Sequence, residues 1–176
     1  LGSNLIRFLA KHNCKVIALY NKSKKNIIKS KGVTLLKCDL TKSNIPSRLP
    51  KKVDFIIHFA SNPNDRASVT NNKYLIADNS SIDLNFFKLC ERVKHSKFLY
   101  SSSSAVYDDN FLKLKNRTNE KKIIPPFSPD GLYGLSKLLS ENYLEQSKLN
   151  FVICRIFSIY GNDSNTILNQ WNKKIK

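Results

Sequence analysis

The sequence predicts an α/β protein, a doubly wound parallel sheet with helices on both faces. Two observations predict it. Short β-branched or apolar runs alternate with longer stretches of helical periodicity, the pattern of strand–helix–strand units. One run, residues 53–59, is apolar at nearly every position, the mark of a strand buried on both faces. The length of 176 residues suits a single core.

The elements follow in order. Leu5, Phe8 and Leu9 recur at helix spacing within residues 3–11. Residues 15–20 read as the first strand. Gly32 opens a second at 33–36, which ends at Cys38-Asp39. The third is the apolar run at 53–59. Residues 74–93 place Ile82, Phe86, Leu89 and Cys90 on one helical stripe, and 97–100 form a fourth strand. A polar, Pro-containing loop at 108–130 leads to a helix at 133–146 and a fifth strand at 150–156. No repeat or domain-scale linker interrupts this order.

Composition narrows the function. Thirty Lys and Arg against 13 Asp and Glu give a net charge of +17, yet the lysines are scattered through loops and chain ends. No helix-turn-helix, zinc-finger or RNA-binding signature organises them, so the charge reads as a solvated surface and no nucleic-acid partner is expected. No apolar run approaches the ~18 residues of a membrane span. Cys14, Cys38, Cys90 and Cys154 stand far apart, which predicts no metal site and no disulfide framework and fits a reducing, cytoplasmic setting.

In doubly wound sheets ligands bind beyond the carboxyl ends of the strands. Here those ends carry Asp39, His58-Phe59-Ala60-Ser61, Ser101 to Ser104 and Phe157-Ser158. Tyr133 and Lys137 stand four apart on a helix and so share a face. A neighbouring cation stabilises phenolate, which would lower the Tyr133 pKa toward that of a general acid/base. Ser103, in the serine run after a central strand, could complete a Ser–Tyr–Lys relay. His58 reads instead as a satisfied strand-end histidine, and no GxSxG elbow supports nucleophilic hydrolysis.

Five stretches together resemble the NAD-dependent epimerase/dehydratase family, the extended short-chain dehydrogenase/reductases that act on nucleotide sugars. They are Leu1-Gly2-Ser3-Asn4-Leu5, Cys38-Asp39-Leu40, His58 to Ser61, Ser102 to Tyr107, and Tyr133 to Lys137 followed by Arg155 to Gly161. The resemblance covers the whole chain. It implies a Rossmann-like fold and a nucleotide-sugar epimerase or dehydratase that uses NAD. Tyr133 would be the acid/base, Lys137 would lower its pKa and hold the nicotinamide ribose, and Ser103 would be the partner hydroxyl. Asp39 and the Leu40 backbone would meet the adenine, and Phe59, Ala60 and Ser61 the phosphate and ribose path. Asn79 and Phe157 join the cofactor set, and Ser158 the substrate set. Gly2 would be the last glycine of GxxGxxG, allowing close helix–strand packing. Members commonly dimerise through the helices that correspond to 74–93 and 133–146.

Departures from the pattern carry their own expectations. Asn21-Lys22 stands where NAD-preferring members usually have an acid, so Lys22, Lys24 and Lys25 could meet the 2′-phosphate of NADP. Ser158 replaces a frequent Asn, and Asp108 a frequent Gly. The alternatives are an NADPH-dependent reductase of a nucleotide-linked keto-deoxysugar and a non-catalytic nucleotide-binding protein on this fold. The family's first strand, its first two glycines and its substrate-binding portion have no counterpart, so residues 1–176 read as an internal fragment of a dinucleotide-binding domain. As a free polypeptide they are expected to be inactive and poorly folded. A cooperative thermal transition with tight NAD(H) binding by these residues alone would overturn that expectation.

Overall fold

A computed structural model describes residues 1–22, 30–42, 46, 48–62, 74–107, 131–157 and 159. Helix α1 (Gly2–Lys11) opens the chain. Lys11 in its last turn suits the negative end of the helix dipole, and Asn13 leaves the helix in the left-handed region at φ 58°. Of its apolar stripe Leu5 and Leu9 are half-buried, while Phe8 is exposed and rests on the His12 ring, centroids 4.3 Å apart.

Strands β1 (Val16–Tyr20) and β2 (Val33–Lys37) pair in parallel, Val16 opposite Val33. Strands β3 (Phe55–His58), β4 (Lys97–Ser103) and β5 (Phe151–Ile156) form a second parallel ladder in that order. Helix α2 (Leu75–Arg92) enters between β3 and β4, and helix α3 (Gly131–Gln146) precedes β5. The parallel α/β architecture is the one read from the sequence. Among the described residues its strands make two ladders joined by packing, with no strand pairing between β1 and β3.

Two strands differ from their sequence reading. β3 is shorter than 53–59, and its first residue, Phe55, is 69% exposed, so this strand is not buried throughout. β4 runs three residues further than 97–100, because β5 continues the ladder: Ser101 pairs with Cys154, Ser102 with Arg155 and Ser103 with Ile156. Ser101 to Ser103 are therefore strand rather than polar loop. A single 3-10 turn, Ser104–Val106, follows, capped by the Ser103 hydroxyl, which accepts from the Ala105 N–H at 3.2 Å.

One core unites the ladders. The α2 stripe of Ile82, Phe86, Leu89 and Cys90 is buried with Phe98 and Tyr100 of β4 and Leu144 of α3, and Cys38 and Leu40 at the end of β2 join the same cluster. Asn85 of α2 reinforces this by donating its Nδ2 to the Leu40 carbonyl at 2.9 Å. Phe87 is wholly buried, edge-on to Phe98 and Tyr100 with centroids 5.8 and 5.6 Å apart. No described helix is long and apolar enough to cross a membrane.

Removing that ring opens a cavity whose walls are strands and helices already held by other contacts. Phe87→Ala in the full-length protein is expected to cost about 3–5 kcal/mol, read as a lowered urea midpoint. A loss below about 1 kcal/mol would show that the core does not depend on it.

Candidate active site

The carboxyl ends of β1 to β4 and the first turns of α3 carry the candidate residues. Asp39, beyond β2, accepts from the Thr41 hydroxyl at 2.7 Å, the Thr41 N–H at 3.1 Å and Asn21 Nδ2 at 3.3 Å. The Thr41 hydrogen bonds hold its carboxyl below the usual range. Lys22 is exposed next to Asn21; Lys24 and Lys25 lie outside the described residues. Leu40 is buried and its carbonyl is taken by Asn85. Gly2 stands against Phe59, where an added Cβ would meet the Phe59 side chain at 3.9 Å, an ordinary contact. Close packing here therefore does not demand glycine.

The loop after β3 is held from below. Asn79 of α2, fully buried, accepts from the Asn62 N–H at 2.8 Å and returns Nδ2 to the Asn62 carbonyl at 3.3 Å. Its Oδ1 also receives Ser61 Oγ at 3.4 Å, and its Nδ2 reaches Ser136 of α3 at 3.3 Å. Asn79 thus fastens Ser61 and Asn62 to both helices. Its hydrogen bonds run to this loop and to α3. Phe59 is half-buried and Ala60 exposed in the same loop.

Tyr133 is half-buried in the first turn of α3, with the Ser61 hydroxyl near enough to favour its phenolate. Lys137 lies one turn on, 1% exposed, its Nζ 5.9 Å from the Tyr133 ring centre. The i, i+4 pairing places the two side chains together. The Tyr133 pKa nevertheless moves upward: burial strips water from the phenolate and Asp83 adds like charge, and together they outweigh the Ser61 hydrogen bond. This is opposite to the direction expected from Lys137 alone. Burial also pulls the Lys137 ammonium below its ordinary pKa, against the pull of Asp83 and Glu141. The hydroxyl that bears on the Tyr133 phenolate is that of Ser61, while Ser103 caps the 3-10 turn. Phe157 is 52% exposed with its ring 6.1 Å from that of Tyr107; Ser158 and Asp108 lie outside the described residues.

Two clusters are centred on carboxylates that no sequence motif marks, Asp83 and Glu141. His58 is buried, stacked on Phe86 at 4.0 Å, and its Nε2 meets Asp83 Oδ1 at 2.8 Å. Burial lowers the imidazole pKa, leaving it neutral with the Nε2 proton donated to the carboxylate. The satisfied strand-end histidine read from the sequence is what the structure has. Asp83 also receives the hydroxyls of Tyr100 and Ser140, each at 2.6 Å. In the second cluster Arg155 grips Glu141, Nη2 to Oε2 at 2.6 Å and Nε to Oε1 at 3.0 Å, and reaches the Tyr107 hydroxyl at 3.0 Å. Ser102 donates to the same carboxylate. Asp83 and Glu141 belong to none of the stretches singled out in the sequence, and packing reveals them.

The sequence profile of the NAD dependent epimerase/dehydratase family matches residues 1–176. The chain belongs to this family. Relatives within it include the dTDP-D-glucose 4,6-dehydratase of Dictyostelium discoideum, 27% identical over 92% of this chain and 42% of that protein. An epimerase from Methanothermobacter thermautotrophicus is 25% identical and superposes with a TM-score of 0.67 over 91% of this chain and 49% of its own. The UDP-glucuronic acid 4-epimerase of Bacillus cereus, solved with UDP-glucuronic acid and NAD, shares the fold at 22% identity, TM-score 0.70, over 91% of this chain and 54% of its own. The chain spans about half the length of the curated relatives it matches, 42% to 54%.

The Glu141–Arg155 pair ties α3 to β5 beside the family's Tyr-x-x-x-Lys face. Glu141→Gln leaves a partly buried guanidinium without its counter-charge and is expected to cost roughly 2–4 kcal/mol in urea unfolding of the full-length protein. An unchanged midpoint would show that solvent already screens this pair.

Proposed function

We propose that the full-length protein containing this chain is a nucleotide-sugar epimerase or dehydratase that uses NAD. The observation that carries the reading is the Tyr133 phenol with the buried Lys137 ammonium 5.9 Å from its ring centre, at the carboxyl edge of a parallel sheet. Family membership and relatives named as epimerases and dehydratases support it.

The donor set suits a dinucleotide. A low-pKa carboxylate follows β2 of one parallel ladder, and a loop with Ala60 and Ser61 after β3 and a buried ammonium beside a phenol belong to the other. Asp39 and the Leu40 backbone would hold the adenine end, Phe59, Ala60 and Ser61 the middle, and Tyr133 and Lys137 the nicotinamide ribose. Gly2, Asn21 and Lys22 fill out the adenosine side and Phe157 the nicotinamide side, with Ser158 toward the sugar. NAD, when bound, supplies the hydride acceptor and donor.

The chain's own residues handle the protons. In its phenolate form Tyr133 Oη takes the proton from a sugar hydroxyl as that carbon is oxidised, and the resulting phenol returns it when the carbon is reduced. Ser103 uses an oxygen lone pair on Ala105 N–H, which leaves its own hydrogen to donate to the sugar oxygen. Lys137 sets the local positive potential and limits where a proton can rest. Asn79 acts indirectly, holding Ser61 against Tyr133.

The exposed Leu84 on α2, with Leu139 and Tyr143 on α3, favours a homodimer through the helix pair. Four free cysteines suit a cytoplasmic setting. Asn21-Lys22 in place of an acid keeps NADP as a second cofactor reading, and with it a keto-deoxysugar reductase.

Tyr133→Phe in the full-length protein is expected to lower kcat by about 10²- to 10⁴-fold with NAD affinity nearly unchanged. Turnover that survives the substitution would remove this relay. NAD that remains bound through many turnovers separates epimerase and dehydratase chemistry from stoichiometric reduction.

A further inference from the structure

Charged side chains enter the interface between α3 and the sheet in matched numbers. Glu141 is committed to Arg155 by a two-pronged ion pair and to Ser102. That leaves Asp83, 1% exposed, and Lys137, also 1% exposed, as each other's counter-charge. Among the described residues no ion pair joins Lys137 directly to a carboxylate. The Tyr100 hydroxyl stands between them, accepting from Lys137 Nζ at 3.3 Å and donating to Asp83 Oδ2 at 2.6 Å. The Lys137 Nζ also lies 4.8 Å from the Tyr100 ring centre.

We propose that Asp83 is a positioning residue for Lys137, acting through the Tyr100 phenol and supplying the buried counter-charge that seats the ammonium beside Tyr133. The proposal rests on Tyr133 and Lys137 being the working pair. A phenol has one hydrogen to give. Asp83 takes it, so the lone-pair side of Tyr100 is turned toward Lys137. Without the carboxylate that hydrogen is free to swing, and the ammonium then faces a donor. The carboxylate itself is over-determined, receiving Tyr100, Ser140 and His58 from β4, α3 and β3. Burial opposes its charge, but the His58 hydrogen bond and the charge on Lys137 prevail and hold it ionised.

The signs follow from every titratable group that faces the pair. Around Lys137 stand Asp83 of α2, Tyr100 of β4, and Tyr133 and Glu141 of α3, with His58 of β3 neutral beyond Asp83 and Arg155 of β5 neutralised by Glu141. Replacing Asp83 by Asn removes a negative charge from both Lys137 and Tyr133. Each then gives up its proton more readily.

The test uses the full-length protein carrying ¹³C-labelled lysine. The Lys137 Cε resonance is assigned by its loss in Lys137→Arg and titrated without cofactor. In Asp83→Asn its midpoint is expected to fall by roughly one pH unit. Both limbs of the kcat/KM profile should move acidward with it. Tyr100→Phe keeps the carboxylate and the ring but removes the bridge, and should lower the midpoint by a smaller amount. If Asp83→Asn does not fold, Tyr100→Phe decides alone. A Lys137 midpoint unmoved in the folded variants, or lower activity at every pH with limbs in place, would assign Asp83 to packing and overturn the proposal. Tyr133→Phe with full turnover would overturn the underlying reading, while the lysine titration would still report the coupling.

Discussion

Burying Lys137 is the constraint around which the second half of this fold is arranged. An ammonium out of water costs several kcal/mol unless its charge and hydrogens are met. Lys137 Nζ donates to the Tyr100 hydroxyl of β4, the Asp83 carboxylate of α2 supplies the opposite charge through that phenol, and the Ser140 hydroxyl of α3 and the His58 imidazole of β3 hold the carboxylate in turn. Each hydrogen bond made for the sake of that charge also fixes the position of one element against another. The polar centre and the surrounding aromatic core, Phe86, Phe87 and Phe98, are consequently one unit.

A matching of repeats makes this arrangement possible. Tyr100 and Ser102 are two apart on β4 and point to the same face, ~6.6 Å along the strand. Lys137 and Glu141 are four apart on α3, ~6 Å along the helix. The two spacings agree closely enough that Tyr100 meets Lys137 while Ser102 meets Glu141. This requires β4 to remain a strand through its serines, which its pairing with β5 as far as Ser103 and Ile156 ensures. The serine run is thereby divided. Ser102 goes inward to the helix, and Ser103 caps the 3-10 turn that follows the strand.

The loop after β3 shows the same economy. Asn79 uses both ends of its amide on Ser61, Asn62 and Ser136, so α2, the loop and α3 share one anchor. Ser61 then stands against the Tyr133 phenol. Asn79, which the family resemblance assigns to the cofactor set, is in this structure also the anchor of that loop.

Local order in the sequence determined the elements. β-branched runs, the stripe of Ile82, Phe86, Leu89 and Cys90, and the Tyr133–Lys137 spacing depend only on neighbours along the chain, and each falls where its periodicity put it, the ends of β3 and β4 apart. The motif order likewise sufficed to read the family. Tertiary structure decided the rest, because burial and charge compensation are properties of groups distant in sequence. Nothing near Asp83 marks it as the partner of residues at 58, 100 and 140, and nothing near Tyr133 says that desolvation will raise its pKa against the pull of a neighbouring cation. The length of β4 was hidden for a similar reason: serines are weak strand formers alone, and it is the ladder offered by β5 that keeps them extended.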